Sequence, residues 1–227
     1  MRYLIVLSYP RSGSTVVQSL LNTVDGYCIR GEYMGAITQL TDFIDVIRLS
    51  TSDVRDVVGG DTSSPSSPLY GISEIKDRDV VGGLRNFYID TILKPVHGSK
   101  VIGWKENFIS PLANGEKHAN RMLGVMTDMF PDARYVINIR NPEDVGRSAV
   151  WKQSPSGVED VTRCRNWLLG VYESGFLGTN MSLLIDHDEW KGNPELLCNQ
   201  LNSFDIPVSL ENTKRVLSEQ LMHLKDW

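Results

Sequence analysis

Residues 9–15 combine a cation, several hydroxyls and a glycine in the pattern of an anion-binding loop. Arg11 supplies a positive charge, and Gly13 lets the backbone approach a ligand closely. Backbone N–H groups at the start of a following helix add further donors for an anion. The loop therefore predicts a site for a phosphate-like group, and its candidate hydroxyl donors are Ser12, Ser14 and Thr15.

A second group of residues able to bind an anion lies in the latter half of the chain. Arg140 directly follows an apolar, strand-like run at residues 134–139. Asn141-Pro142 ends that run, and the two acidic residues after it are typical of the first turn of a helix. Ser148 lies eight residues after Arg140, within the helix predicted to begin at the proline. We expect Arg140 and Ser148 to converge on one oxyanion.

The first loop lacks the features of a nucleoside-triphosphate loop. The pattern G-x-x-x-x-G-K-[ST] requires a lysine before the hydroxyl residue, and no Gly-Lys pair precedes Ser14 or Thr15. The run Met181–Asp186, apolar and ending in an aspartate, nevertheless resembles the Walker B strand of NTPases. A nucleotide kinase or NTPase therefore remains an alternative.

Both anion-binding segments resemble the cofactor-binding segments of one enzyme family. Pro10–Thr15 is similar to the 5′-phosphosulfate loop of sulfotransferases that use 3′-phosphoadenosine 5′-phosphosulfate (PAPS). Arg140–Ser148 has the family's Arg-(Asn/Asp)-Pro-x-Asp-x-x-x-Ser pattern, which holds the 3′-phosphate. The resemblance implies binding of PAPS, and of its product adenosine 3′,5′-bisphosphate (PAP), without a metal. The cofactor-binding residues that it implies are Arg11, Ser12, Gly13, Ser14, Thr15, Arg140 and Ser148.

Two further residues complete the site that this resemblance implies. Glu32 lies in a Gly-Glu-Tyr segment similar to the one that supplies the catalytic base in carbohydrate- and tyrosylprotein-directed sulfotransferases. Lys105 is similar to the family's strand-end lysine, which contacts the transferring sulfuryl group. Sulfuryl transfer needs positive charge near the leaving group and a base to accept the proton of the acceptor hydroxyl. The candidate catalytic residues are therefore Glu32, Lys105 and Arg11.

The acceptor class follows from the identity of the base. A glutamate base resembles the enzymes that act on glycans and glycolipids, whereas phenol- and steroid-directed sulfotransferases use a histidine between the two cofactor loops. His97 and His118 lie in that interval. We expect a hydroxyl on a glycan or glycolipid as the acceptor, with a peptidyl tyrosine or a phenol left open. A non-catalytic protein that binds an adenosine bisphosphate is a further alternative.

The periodicity of apolar residues predicts the elements that position these groups. Two helices carry apolar stripes, which we expect to lie in the core. The first stripe consists of Ala119, Met122, Leu123, Met126, Met129 and Phe130, and the second of Val161, Trp167, Leu168, Val171 and Tyr172. Alternating strands and helices predict an α/β three-layer sandwich with a central parallel sheet, and the resemblance implies a P-loop-like sulfotransferase fold. Ligands of such sheets bind at the carboxyl ends of the strands. Strands are predicted at 3–8, 100–104, 134–139 and 181–185, and these two helices at 116–130 and 158–178.

Composition limits the other classes of function. The net charge of −5 and the pI near 5.4 argue against generic binding to nucleic acids or to membrane surfaces. Three cysteines without a C-x-x-C pair favour a reducing compartment. The first strand follows Met1 almost at once, and no long apolar span is visible. We therefore expect a cytoplasmic enzyme without a membrane span.

The length of 227 residues predicts a single domain, residues 1–227, with one substantial core. A Ser/Pro-rich segment, Thr62–Pro68, interrupts the helical and strand patterns. Such segments are typical of surface loops. We expect residues of about 50–75 to form an exposed loop or a lid.

Overall fold

Five parallel strands form one sheet. They are β1 (Arg2–Ser8), β2 (Tyr27–Arg30), β3 (Val101–Asn107), β4 (Ala133–Ile139) and β5 (Ser182–Asp186). Their order in the sheet is β2-β3-β1-β4-β5, and every paired neighbour is parallel. The computed structural model describes residues 2–33, 35–58, 62–146, 148, 156–178 and 180–223.

Helices flank the sheet, so the predicted α/β fold with a central parallel sheet is confirmed. A 3₁₀-helix occupies Ile72–Glu74 and a π-helix Tyr88–Leu93. The α-helices are α1 (Ser14–Leu21), α2 (Ala36–Val58), α3 (Asp77–Phe87), α4 (Ile109–Ala113), α5 (Glu116–Met129), α6 (Pro142–Gly146), α7 (Gly157–Glu173), α8 (His187–Trp190), α9 (Pro194–Ser203) and α10 (Leu210–His223).

The register of the sheet brings the ends of four strands to one edge. Ser8 at the end of β1 is level with Asn107 at the end of β3. Ile139 at the end of β4 is level with Asp186 at the end of β5. Because β1 lies in the middle of the sheet, the loop after it is flanked by the carboxyl ends of β3 and β4.

The strands form because their side chains are buried on both faces of the sheet. Leu4 to Leu7 are at most 3% exposed, as expected for a central parallel strand. Helices α1, α9 and α10 contribute apolar side chains to the same core. That core includes Val6, Val17, Leu20, Leu21, Ile29, Val136, Ile185, Trp190, Leu197, Leu201 and Val216.

Four strands and two helices lie where the sequence predicts them, with small differences at their ends. The stripe of α5 is confirmed, because all its members are at most 1% exposed. In α7 the stripe is buried except for Tyr172, which is 38% exposed, so its assignment to the core is wrong. The helix ends at Glu173, and Tyr172 lies in its last turn.

The chain groups into two compact units. The first comprises Met1–Glu32, Pro95–Ala119 and Asp132–Trp227, and it contains the sheet. The second comprises Tyr33–Lys94 and Asn120–Pro131. The prediction of a single domain concerns cooperative folding and stays a prediction.

The second unit has its own polar and aromatic contacts. The Arg48 guanidinium donates to Asp77 at 2.7 Å and 3.1 Å and to Asp128 at 2.7 Å, and these bonds join α2, α3 and α5. The ring of Tyr88 meets that of Phe130 edge-on, with the centroids 6.2 Å apart.

The loop predicted at residues 50–75 begins later than expected. Helix α2 continues to Val58, because residues 50–58 contain no glycine or proline to end it. Residues 62–71 form consecutive turns, several of them exposed, and residues 59–61 lie outside the described part of the chain. Its role as a lid stays a prediction. Among the helices described, none is long and apolar enough to cross a bilayer.

Candidate active site

The β1–α1 loop turns sharply through two residues in the left-handed region. Arg11 has φ 67° and Gly13 has φ 88°. Gly13 caps helix α1, and its carbonyl accepts the N–H of Val16 at 2.9 Å. A Cβ on Gly13 would lie 2.3 Å from Cδ2 of His187, so position 13 requires glycine for space as well as for conformation.

Some side chains of residues 11–15 are buried and others are exposed. Ser12 is fully buried, and its hydroxyl and its carbonyl oxygen both accept from the amide of Asn138, at 3.2 Å and 2.8 Å. Ser14 is buried, whereas Arg11 and Thr15 are exposed. The inward Ser12 hydroxyl therefore has a structural partner that the sequence did not predict.

Arg140 is anchored to the same loop at two points. Its N–H donates to the Tyr9 hydroxyl at 2.6 Å, and its carbonyl accepts the Tyr9 O–H. Its guanidinium Nη1 donates to the carbonyl of Arg11 at 3.0 Å. Tyr9 is fully buried, and burial raises the pKa of its phenol, which keeps the hydroxyl protonated as a donor. The two predicted anion-binding segments are thus directly bonded to each other.

Ser148 lies just beyond helix α6, not inside it. The helix ends at Gly146, and the Ser148 N–H donates to the carbonyl of Val145 at 2.9 Å. The predicted position of Ser148 within the helix that begins at Pro142 is therefore wrong.

Two polar atoms of this second segment fit an anionic ligand. Ser148 Oγ and Arg140 Nε are buried without a hydrogen-bond partner among the described residues. Leaving a buried polar group without a partner costs about 1–3 kcal/mol. A phosphate oxygen would satisfy either group, so the residues present fit the 3′-phosphate that the family resemblance implies.

Glu32 and Lys105 form an ion pair beside the first loop. Lys105 Nζ lies 2.8 Å from Glu32 Oε1 and donates to Thr15 Oγ1 at 3.2 Å. The lysine is 9% exposed, and the Glu32 side chain is 29% exposed. The pairing of β2 with β3 explains the contact between Glu32 and Lys105. Arg30 in β2 is level with Trp104 in β3, and Glu32 follows Arg30 by two residues.

Glu106, the neighbour of Lys105 in β3, is a buried carboxyl that sequence reasoning missed. It accepts from the indole N–H of Trp104 at 2.8 Å and from the backbone N–H of Asn107 at 3.2 Å. Burial raises its pKa from the ordinary 4.5 to about 7, against the lowering effect of these two bonds. The alternation of side chains along a strand could have predicted its position, because it places Trp104 and Glu106 on one face of the sheet and Lys105 on the other.

Helix α8 supports both anion-binding segments from the end of β5. The carboxylate of Asp188 accepts the N–H of Asn141 at 2.7 Å and lies 3.8 Å from Nε of Arg140. His187 packs edge-on against Trp190, with the ring centroids 4.7 Å apart. Burial, followed by the charge of Arg140, lowers the pKa of His187. The imidazole lies directly behind Gly13, so it packs against the β1–α1 loop.

The two histidines predicted as alternative bases lie in different surroundings. His97 is exposed in the segment before β3, at the amino end of that strand, whereas the loop and Lys105 lie toward the carboxyl end. His118 is buried in the first turn of α5.

No protein-family model and no curated protein sequence matches the chain. Solved structures do match. One is the sulfotransferase domain of the olefin synthase from Synechococcus PCC 7002, with a TM-score of 0.56 and 17% identity over 94% of this chain and 76% of that one. The chain has the sulfotransferase fold. The sulfotransferase STF9 from Mycobacterium avium matches with a TM-score of 0.50 and 16% identity, over 98% of this chain and 68% of the other.

The sulfotransferase fold confirms the predicted architecture, and identities this low establish the fold alone. The carbohydrate- or tyrosylprotein-directed subtype stays a prediction. The structure brings Arg11, Thr15, Glu32, Lys105 and Arg140 to one edge of the sheet through the contacts described above. Within the described residues, no group of three or more His, Cys, Asp or Glu side chains is placed to hold a metal ion.

Proposed function

We propose that the protein is a PAPS-dependent sulfotransferase that transfers a sulfuryl group to an acceptor hydroxyl. The observation that carries the proposal is the continuous set of contacts at the carboxyl edge of the sheet. Arg140 is bonded to the loop of Arg11, and Thr15, in the first turn of helix α1 after that loop, accepts a hydrogen bond from Lys105, which is paired with Glu32. Two anion-binding segments and a cation–carboxylate pair therefore share one edge.

The division of roles follows from the chemistry of each segment. The backbone of the β1–α1 loop, with Gly13, Ser14 and Thr15, would hold the 5′-phosphosulfate end of PAPS. Arg140 and Ser148 would hold the 3′-phosphate, because each carries a buried polar atom without a hydrogen-bond partner among the described residues. The bound donor supplies an activated sulfuryl group whose leaving group is a phosphate.

Three side chains then act on the reaction. Arg11 and Lys105 neutralise the negative charge that develops on the leaving group and the sulfonate oxygens. Glu32 accepts the proton of the acceptor hydroxyl as the new S–O bond forms. Its pairing with Lys105 at 2.8 Å holds the carboxylate beside the cation, so that base and charge stabiliser are oriented together.

The acceptor in this proposal is a hydroxyl on a glycan or glycolipid. A carboxylate base paired with Lys105 supports that class, and the exposed His97 at the amino end of β3 is a poor alternative base. We further propose a cytoplasmic location, which the three buried free cysteines support, since free thiols persist in reducing compartments.

Calorimetry tests the nucleotide specificity. We expect PAP to bind without added metal and ATP with Mg²⁺ to bind more weakly or not at all. Preference for ATP–Mg²⁺ would replace the proposal with a nucleotide kinase or NTPase. Binding of PAP without turnover on any acceptor would instead indicate a non-catalytic binding protein.

Transfer of labelled sulfate from PAPS to a panel of sugars, glycolipids, phenols and tyrosine peptides tests the acceptor class. We expect label on the sugars or glycolipids. Label on phenols or peptides alone would keep the reaction and overturn the acceptor class. His97→Ala and His118→Ala, assayed beside Glu32→Gln, identify which of the three residues supplies the base.

A further inference from the structure

The strongest link between the two anion-binding segments is a side chain in neither the proposed catalytic nor the proposed cofactor-binding set. Tyr9 follows β1 directly and is fully buried. Its hydroxyl accepts the N–H of Arg140 at 2.6 Å and donates to the carbonyl of the same residue. One phenol therefore satisfies both backbone groups of a residue 131 positions away in sequence.

Arg140 needs such a partner because it lies where regular structure stops. The pairing of β4 with β5 ends at Ile139, and helix α6 begins at Pro142. The backbone groups of Arg140 thus fall between the sheet and the helix. Without the phenol, a partly buried donor and a partly buried acceptor would lose their bonds, and the direction of the arginine side chain would be less well defined.

A second cross-link holds the opposite segment. The amide of Asn138, fully buried in β4, donates to the carbonyl of Ser12 at 2.8 Å and to its hydroxyl at 3.2 Å. Tyr9 therefore reaches from the β1–α1 loop to Arg140, and Asn138 reaches from β4 back to the loop. The two bonds act on different ends of the proposed nucleotide site.

We propose that Tyr9 is a positioning residue that aligns Arg140 for the 3′-phosphate, and that its hydroxyl sets how strongly the protein distinguishes nucleotides with and without that phosphate. The inference rests on the proposed function, since it assigns a further residue to the same site. Asn138 serves as the contrasting cross-link, because it supports the 5′ end of the site.

The experiment uses calorimetry to compare the affinities of PAP and adenosine 5′-monophosphate for five proteins, the wild type and four variants. Tyr9→Phe keeps the ring and removes the hydroxyl. We expect the affinity ratio of PAP to the monophosphate to fall about five- to tenfold, as for the loss of one or two hydrogen bonds. Asn138→Ala should weaken both ligands by a similar factor and leave the ratio unchanged.

The third variant is Arg140→Ala, and the fourth combines Tyr9→Phe with Arg140→Ala. If Tyr9 acts through Arg140, the double variant must have the same ratio as Arg140→Ala alone, because two residues in one chain of contacts are not additive. A purely structural role would lower the melting temperature and both affinities, but not the ratio. A further loss of ratio in the double variant would contradict the inference.

The failures can be told apart. A wild-type protein that binds PAP no more tightly than the monophosphate overturns the proposed function together with this inference. If wild type and Tyr9→Phe both prefer PAP over the monophosphate by the same factor, the inference about Tyr9 is wrong and the proposed function stands.

Should Tyr9→Phe fail to fold, hydrogen exchange on the wild-type protein replaces it. We expect the backbone amide of Arg140 to be protected about as well as the β4 amides, both before and after PAP is added. Fast exchange of this amide in the unliganded protein would contradict a preformed cross-link.

Discussion

Lys105 Nζ lies 2.8 Å from Oε1 of Glu32, in a pair whose lysine is only 9% exposed. The second bond of this ammonium, 3.2 Å to Thr15 Oγ1, connects the pair to the first turn of helix α1. A buried cation with one carboxylate partner makes the two residues interdependent, since removing the carboxylate leaves the charge poorly compensated.

The first prediction concerns the proposed base. Glu32→Gln keeps the shape of the side chain and removes its ability to accept a proton, so we expect PAP affinity to be retained and the transfer rate to fall at least about a hundredfold. Single-turnover transfer of labelled sulfate measures the rate. Glu195→Gln, at an exposed glutamate of α9, is the control and should keep full activity. Full activity in Glu32→Gln, with loss in His97→Ala or His118→Ala, would move the base to a histidine.

The second prediction separates the two anion-binding arginines. Arg140→Ala should weaken PAP by about 1.5–3 kcal/mol, the usual contribution of a charged hydrogen bond, and leave adenosine 5′-monophosphate nearly unaffected. Arg11→Ala should reduce both the affinity and the transfer rate, because it acts where the leaving group gains charge. Titration calorimetry with the two nucleotides gives the ratio. Arg215→Ala, at an exposed arginine of α10, should change nothing, and an unchanged ratio in Arg140→Ala would refute its assignment.

The third prediction tests the tight packing behind the first loop. Gly13→Ala places a Cβ 2.3 Å from His187 Cδ2 and 3.2 Å from Trp190 at a residue with φ 88°. Backbone strain of about 1–2 kcal/mol and overpacking of about 1–3 kcal/mol should lower the stability, and PAP binding should be lost. Urea denaturation measures the first effect and calorimetry the second. Gly170→Ala, in α7 with open space around it, should be neutral or stabilise by up to about 1 kcal/mol.

The fourth prediction follows from the raised pKa of Glu106. Between its ordinary pKa of 4.5 and the folded-state value of about 7, the native protein binds more protons than the unfolded chain. The free energy of unfolding therefore falls as the pH rises through that window. One pKa unit corresponds to about 1.4 kcal/mol, so the loss from this group is about 3 kcal/mol. The glutamine of Glu106→Gln is uncharged at every pH, so this variant does not lose that stability. Its free energy of unfolding relative to wild type should therefore increase between pH 5 and pH 8.

Denaturant titrations at both pH values test this sign. Glu173→Gln, at the exposed end of α7, is the control and should show the same pH dependence as wild type. A stability difference between Glu106→Gln and wild type that is equal at pH 5 and pH 8 would mean that the carboxyl is ionised in both states.

The sequence predicts the central sheet well because its strands are long and apolar. β1 and β4 each carry seven residues with most of the side chains buried, and their short length and the proline soon after each run indicate strands rather than helices. β2 has only four residues, of which Cys28 and Ile29 are buried, and so short a run carries no period. That strand nevertheless brings Glu32 to Lys105, which is why their contact could not be predicted.

In the candidate site, too, some features could be predicted from the sequence and others could not. Residues of the two loops were predictable because their types and spacing lie within short segments, as with Arg11 and Gly13. The residues that hold these loops in place by hydrogen bonds were not predictable. Tyr9, Asn138 and Asp188 act across strands, and their roles depend on the strand order, which periodicity does not encode.

Arg11 has a backbone conformation that is unfavourable for a residue with a side chain. At φ 67° an arginine is about 1–2 kcal/mol less favourable than in the right-handed region, and glycine would adopt the same backbone freely. Screening variants for heat resistance alone would therefore favour glycine at position 11 and discard the guanidinium. Thermal tolerance and charge at this position are opposed, so the most heat-resistant descendants of this chain are expected to be among the least active.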